Sequence, residues 1–354
     1  MSKIIYIGDQ IAVPCGGADQ VNLRNQKLFE ELFPESITYL SPANLKSNNL
    51  FRKFYLGVTD EFVNIVLEEL NKGCYDYMFI SHSTLGRLAK KVKGVYPDIK
   101  IIMFYHNIEI QYAQEYYKTK GIKALPFYFA VKLWEKQAFK YSDYNITLNR
   151  RDSNLLKHFY GKDSDLELPT SFDDKFNEQK RVELIRNCNE QIDYLFVGVA
   201  FFANIQGVQW LIDNVMPKVS GNLYVIGKGM DHVEFKNLND RIRIKGFVDD
   251  LSFYYYNATC VVSPIFVGGG MKTKTAEALM FGKQIIGTKE AFEGYVIDDS
   301  CMCECNTADE FICALERDHK PLKTASRMLF NTYYSTKASL NLLMKFFKDH
   351  ECRS

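Results

Sequence analysis

Ten residues, Gly268-Gly269-Gly270-Met271-Lys272-Thr273-Lys274-Thr275-Ala276-Glu277, have the types and the order of an anion site. An apolar, β-branched run, Cys260 to Ser263 and then Pro264, precedes them, and a segment with helical apolar spacing follows. Strand, glycine loop and helix start in that order turn backbone N–H groups and the positive end of a helix dipole on one point. Lys272 and Lys274 stand at the mouth, and Glu277 lies deeper. At about 1.5 Å of rise per residue, Glu277 falls about 9 Å along the axis from Met271, beyond a shared phosphate and suited to a ribose. The arrangement fits a nucleoside diphosphate. A competing reading makes Lys274 and Glu277, three residues apart, a surface ion pair of little energetic weight. Lys272 argues the other way, because a cation in the first turn is unfavourable beside the helix dipole unless an anion is bound.

A second constellation is Tyr105-His106-Asn107-Ile108-Glu109, at the end of the apolar run Ile101–Tyr105. The carboxyl end of such a strand is where a doubly wound domain keeps its reactive groups. His106 could bond a sugar hydroxyl or an acceptor; an ordinary loop histidine reads equally well, and His82 in Ser81-His82-Ser83 is a weaker competitor. Gly16-Gly17, after the first strand, permits close backbone approach to a ligand. So do Gly198, with Asn204 and Gly207, and Gly227 within Ile226-Gly227-Lys228-Gly229. A tight turn explains each alone; several open at the same edge of one sheet. Asp163-Ser164-Asp165 could hold a divalent cation, but it sits in a short polar connection between Gly161 and Pro169, so solvated loop carboxylates are the better reading.

These groups need a scaffold, and the pattern alternates strand and helix from end to end. Ile4–Ile7, Tyr77–Ile80, Ile101–Tyr105 and Tyr144–Leu148 read as one series of short buried strands. Tyr194–Val197, Leu223–Ile226, Ile242–Ile244, Cys260–Ser263 and Gln284–Gly287 read as a second. Helix-length segments lie between them: Val21–Leu32, Asp60–Leu70, Tyr128–Tyr141, Gly207–Val215 and Lys272–Phe281. That interleaving implies parallel sheets in an α/β arrangement. At 354 residues two domains are the better prior. The break falls in the polar stretch Thr170–Gln191. Residues 1–175 are therefore expected as one Rossmann-like domain, 176–192 as a linker, 193–335 as a second Rossmann-like domain, and 336–354 as a packing helix.

Composition excludes several classes. Hydrophobic residues at 47% and charged residues at 25% are globular values, and a net charge of +1 supplies no global field for nucleic acid. No signal peptide and no bilayer-spanning apolar run is read, so a cytoplasmic protein is expected. Nine cysteines lack zinc spacing; Cys301, Cys303 and Cys305 alternate, and a half-buried strand explains them better than a metal or redox site. Between Arg87 and Lys140 eleven basic residues outnumber four acidic ones, a surplus of seven, with Leu125-Pro126-Phe127-Tyr128-Phe129 and Trp134 interleaved. Such a segment suits anionic lipid or a lipid-linked substrate; a solvated face over an aromatic core helix suits it as well.

With these residues laid out, the chain resembles retaining nucleotide-sugar glycosyltransferases of the GT-B fold, the group 1 (family 4) superfamily. Asp193–Leu211, containing FVGVAFFANIQGVQWL, looks like the opening of the family's donor domain. The segment Ile244–Leu251, with Val248, resembles the loop that abuts the nucleotide base. Ser263 to Gly282 looks like its diphosphate and ribose signature, and HNIE at 106–109 like its post-strand histidine motif. Glu135 to Leu156 and then Leu168-Pro169 resemble the segment leading out of the acceptor domain.

The resemblance implies two Rossmann-like domains facing each other across a cleft. It implies that Lys272 and the Gly268, Gly269 and Gly270 amides stabilise a departing diphosphate. Glu277 would hold the ribose hydroxyls, His106 would touch the transferred sugar, and Gly16 and Gly17 would close over the phosphates. Gly198, Asn204, Gly227, Val248, Met271 and Lys274 complete the expected donor site. No metal and no cofactor are implied, the nucleoside-diphosphate sugar being a co-substrate. One departure stands out: the family often carries two glutamates eight positions apart, and counting back eight from Glu277 lands on Gly269. The expected activity is transfer of a hexose-type sugar, with retention, to a glycan or lipid-linked acceptor in surface polysaccharide or lipopolysaccharide assembly at the inner membrane face. A GT-B-fold epimerase and a non-catalytic nucleotide-sugar or partner binder are the alternatives.

Overall fold

Parallel strands buried on both faces need nearly continuous apolar runs, and the runs of this chain become such strands. The computed structural model describes residues 2–12, 17–42, 58–317 and 324–351. Among the described residues twelve strands form two six-stranded sheets, each in its own unit.

The first unit comprises Met1–Pro169 with Leu340–Ser354. Its strands are β1 (Ile4–Ile7), β2 (Ile37–Leu40), β3 (Tyr77–Ile80), β4 (Lys100–Tyr105), β5 (Tyr144–Thr147) and β6 (Leu166–Glu167), in the order β2-β1-β3-β4-β5-β6. All neighbours are parallel. One face of the sheet, with Ile5, Ile7, Met78, Ile80, Ile101 and Met103, packs on Phe62, Val66, Leu88, Val92 and Val131. The chain reverses its direction of sheet growth between β1 and β3, where an open sheet leaves a crevice at its carboxyl edge.

The second unit comprises Thr170–Ser339. Its strands are β7 (Ile192–Val197), β8 (Leu223–Ile226), β9 (Ile242–Lys245), β10 (Ala258–Ser263), β11 (Gln284–Gly287) and β12 (Met302–Glu304), in the order β12-β11-β10-β7-β8-β9, again all parallel. That is the Rossmann order, with the reversal between β7 and β10.

The boundaries differ from expectation. Residues 176–192, expected as a linker, carry the helix Glu178–Arg186, capped by Asn177, and lie within the second unit. They are held there: Asn177 N donates to the Tyr256 hydroxyl at 2.8 Å, and Lys180 pairs with Asp250 at 2.6 Å. The division falls instead at Pro169/Thr170, and Phe172 pairs with Ser335 across the second unit's own ends. The terminal helix Thr336–Glu351 is divided between the units, since from Leu340 onward it belongs to the first. There the Phe347 ring meets Phe33 and Tyr77 edge-on.

Strands β2 and β6 were not anticipated. The first is a half-buried sheet edge and the second has two residues, so neither carries a strong apolar signal. Around β12, Cys301 and Cys305 are buried and Cys303 half-buried, with the Cys303 and Cys305 sulfurs 3.7 Å apart. No group of three or more His, Cys, Asp or Glu side chains able to hold a metal occurs among the described residues. Asp163 and Asp165 are taken up by Lys157 and Lys162, at 2.9 and 2.6 Å.

Candidate functional site

The second unit gathers most of the expected donor residues at one edge. The loops after β10, β7, β8 and β9, four adjacent strands, carry respectively Gly268–Glu277, Gly198 with Asn204, Gly227, and Val248. Two glycines let those loops touch. A methyl on Gly207, in the helix Phe202–Asn214, would collide with Pro264 O, and one on Gly227 with Gly198 O. The loop after β10 turns through Gly268 (φ 152°) and Gly270 (φ 60°), conformations that favour glycine, whereas Gly269 has no positive φ.

Lys272 stands at the N-cap of the helix Thr273–Met280 with no side-chain cap bond of its own. Its Nζ donates to Gly270 O at 2.9 Å and pairs with Glu290 Oε1 at 2.7 Å. The expectation that this cation is uncompensated without an anion is therefore corrected: a carboxylate from the turn Lys289–Phe292 already balances it. Tyr295 braces the same first turn, donating to Lys272 O at 2.7 Å and accepting from Ala276 N at 3.2 Å.

Lys274 is the more unusual group, and the surface ion pair that competed for it is not its environment. Its side chain is buried, with Nζ 2.6 Å from Asn204 Oδ1 and 4.2 Å from the Phe196 ring centroid. A Cβ on Gly198 would lie 3.1 Å from that Nζ, so the glycine leaves room for the ammonium. Burial first, and the charge of Lys272 second, lower the Lys274 pKa to about 7, with Glu277 opposing. Glu277 is half-buried, and desolvation raises it to about 7 against the pull of Lys175 and Lys274. The Tyr255 hydroxyl steadies its charge from nearby, short of a well-formed hydrogen bond. Tyr255 itself is stacked on Phe281, ring centroids 4.7 Å apart.

In the first unit, at the carboxyl ends of β3 and β4, His82 and His106 lie with ring centroids 5.6 Å apart. His106 is buried, and its Nε2 is 2.9 Å from Asn22 Oδ1 on the helix Gly17–Leu32. Burial, then His82 and Arg24, lower its pKa to about 3, which makes it a neutral hydrogen-bonding group at working pH. Burial also takes His82 down to about 4, a shift softened by solvent because 38% of its side chain is exposed. Its Nε2 is 3.8 Å from Glu109 Oε1, and burial and the neighbouring Glu135 raise Glu109 to about 7. Glu135 is structural: it accepts from Glu109 N, Ile110 N, Ser83 Oγ and the Tyr160 hydroxyl. Gly17 opens the first helix, and Gly16 lies outside the described residues.

Sequence reasoning missed Glu290, Tyr295 and Tyr255, which reach the site from separate elements. It passed over the exposed pair Phe201 and Phe202 (ring centroids 4.5 Å apart) and the exposed Phe247 beside Val248. Those exposed aromatics were the one signal available.

Residues 191–318 match the family described as glycosyl transferases group 1. Among solved structures, sucrose-phosphate synthase from Thermosynechococcus elongatus is 15% identical, with all of both chains covered and a TM-score of 0.77. HepE from Anabaena, in complex with UDP and glucose, is 13% identical over 98% of this chain and 100% of that one, TM-score 0.68. The lipopolysaccharide outer core galactosyltransferase WaaB, apo form, is 14% identical over 98% and 99%, TM-score 0.64. None of the curated proteins matches the chain in sequence. The fold is GT-B, built of two Rossmann-like domains. Over residues 191–318 the chain carries a glycosyl transferases group 1 domain, and the likeness to the solved structures shows the fold.

Proposed function

We propose that the chain transfers a sugar from a nucleoside-diphosphate donor to a glycan or lipid-linked acceptor, with retention of configuration. The observation that carries this reading is the Lys274–Asn204 contact beneath the glycine loop, at the β7/β10 reversal. A buried ammonium held by a neutral amide gains most when an anion arrives. In this scheme Lys274 and the Gly268, Gly269 and Gly270 amides hold the phosphates. Lys272 stabilises the negative charge that develops as the diphosphate leaves. Glu277 takes the ribose hydroxyls, Gly198, Asn204, Gly227, Val248 and Met271 line the donor, and His106 of the first unit serves as a neutral hydrogen-bonding group. Front-face attack by the acceptor hydroxyl gives retention, and no metal or cofactor enters the scheme.

The HepE structures hold UDP with glucose, and UDP-glucose, which supports a uridine nucleotide and a hexose as the first donors to test. The WaaB likeness supports a setting in surface-glycan assembly. Among the described residues no helix is long and apolar enough to cross a membrane. Exposed Tyr112, Ile122 and Phe129, among Lys118, Lys120, Lys123 and Lys132, support peripheral contact with an anionic inner leaflet. A donor panel read by mass spectrometry tests the reading. Sugar transfer or donor hydrolysis supports it; an epimer formed without acceptor, or binding without turnover, overturns it.

A further inference from the structure

The loop Pro264–Met271 is Pro-Ile-Phe-Val-Gly-Gly-Gly-Met, with no acidic or hydroxyl side chain. It can offer amides to phosphates, but it brings no strong acceptor to a sugar, whose identity is its pattern of hydroxyls. One carboxylate stands at its mouth. Glu290 Oε1 is 2.7 Å from Lys272 Nζ and 3.8 Å from where a Cβ on Gly268 would lie. Both side chains of the pair keep a little exposure, 12% for Lys272 and 20% for Glu290, beside the exposed Gly268 and Gly269.

The turn that carries Glu290 is fixed in place. Thr288 caps it by accepting from Ala291 N, and Ala291 O accepts from Thr275 Oγ1 at 2.9 Å, tying it to the helix behind Lys272. We infer that Glu290 is the carboxylate that reads the hydroxyls of the donor sugar, a specificity-determining residue delivered from outside the glycine loop. This rests on the donor-site reading above. Once a diphosphate engages Lys272, Glu290 shares its partner and stands beside two phosphate charges. Hydroxyl donors then relieve it, and the sugar attached to the β-phosphate is the adjacent group that has them. The ion pair with Lys272 is thus the resting arrangement of a carboxylate whose working partner is the sugar.

The test compares Glu290→Gln and Glu290→Ala with wild type by calorimetry, using UDP and GDP against UDP-glucose, UDP-galactose and GDP-mannose. Thermal unfolding monitors the fold, and the isosteric Gln variant carries the test if Ala unfolds. Expected is a loss of about tenfold or more for the preferred sugar nucleotide, with the bare diphosphate held within about twofold or tighter. Discrimination among sugars should collapse in parallel. Equal weakening of diphosphate and sugar nucleotide would reduce Glu290 to a holder of Lys272, and unchanged affinities would remove it from the site; either overturns the inference. If the wild type binds none of the five, the donor-site reading falls first and this assignment with it.

Discussion

Raising the pH from 7 to 9 should weaken sugar-nucleotide binding through one residue, Lys274. In the free protein its pKa is lowered to about 7, by burial and by Lys272. A diphosphate beside the ammonium supplies opposite charge and returns the pKa toward the ordinary lysine value of about 10.4. Lys274 is then a group whose pKa is higher in the complex than in the free protein. Its contribution to affinity is fully present well below pH 7 and is lost as pH rises through 7 toward the value in the complex. About half of free Lys274 is charged at pH 7 and only about 1% at pH 9, so affinity falls about 50-fold over that interval, or about 2.3 kcal/mol at 1.36 kcal/mol per unit. Glu277, raised to about 7 in the free protein, works in the opposite sense. Ribose hydroxyls favour its ionised form, so its contribution is present above pH 7 and is lost on acidification. An affinity maximum near neutrality follows. Titration calorimetry of UDP-glucose in buffers of different ionisation enthalpy reads both the alkaline limb and the proton taken up on binding. Lys274→Met should bind weakly at pH 7 and lose the alkaline limb. A wild-type limb no steeper than that of the variant would refute the reasoning, because Lys274 would then not be the titrating group.

Lys272→Ala should cut kcat about 100- to 1000-fold, as loss of one transition-state charge donor does, while the unfolding midpoint stays within a few degrees; near-normal turnover refutes the leaving-group role. Glu277→Gln should raise the donor KM more than it lowers kcat, and an unchanged KM in steady-state assays would remove it from the ribose. Gly207→Ala drives a methyl into Pro264 O and should cost about 1–3 kcal/mol in urea unfolding together with diphosphate affinity; a neutral result would mean that the two loops need not touch there. His106, with its pKa lowered to about 3, should contribute no ionisation to the pH–rate profile between pH 5 and 9, so a limb lost in His106→Gln would contradict its neutral state.

What the sequence disclosed and what it hid have separate physical causes. The strands β1, β3 and β8 are copied in the structure to the residue, because four apolar positions between polar turns leave no other economical state, and β11 is copied too around the buried pair Ile285 and Ile286. The reversal between β7 and β10 was not written in any run of residues. It arises from the order in which strands pair, and that order is what gathers Gly198, Asn204, Gly227 and Gly268 at one edge. Charge partners were hidden for the same reason. Lys272 looked misplaced because its counter-charge, Glu290, lies 18 residues downstream on another element. The helical boundary at 178–186 was lost to composition: a segment rich in Glu, Lys and Arg reads as linker until Tyr256 and Asp250 are known to hold it.

The two lysines of the loop therefore exchange weight. Spacing made Lys272 the conspicuous cation, yet it rests against Glu290 and two carbonyls of its own loop, and an arriving anion must compete with all three. Lys274 rests against one amide oxygen and an aromatic face, which stabilise an ammonium less than a carboxylate does. A diphosphate thus gains more from Lys274 in the ground state, whereas Lys272 gains most when the breaking bond adds charge near it. Binding energy and barrier lowering separate onto adjacent side chains, and this is the division that the Lys274 affinity profile and the Lys272 turnover measurement read independently.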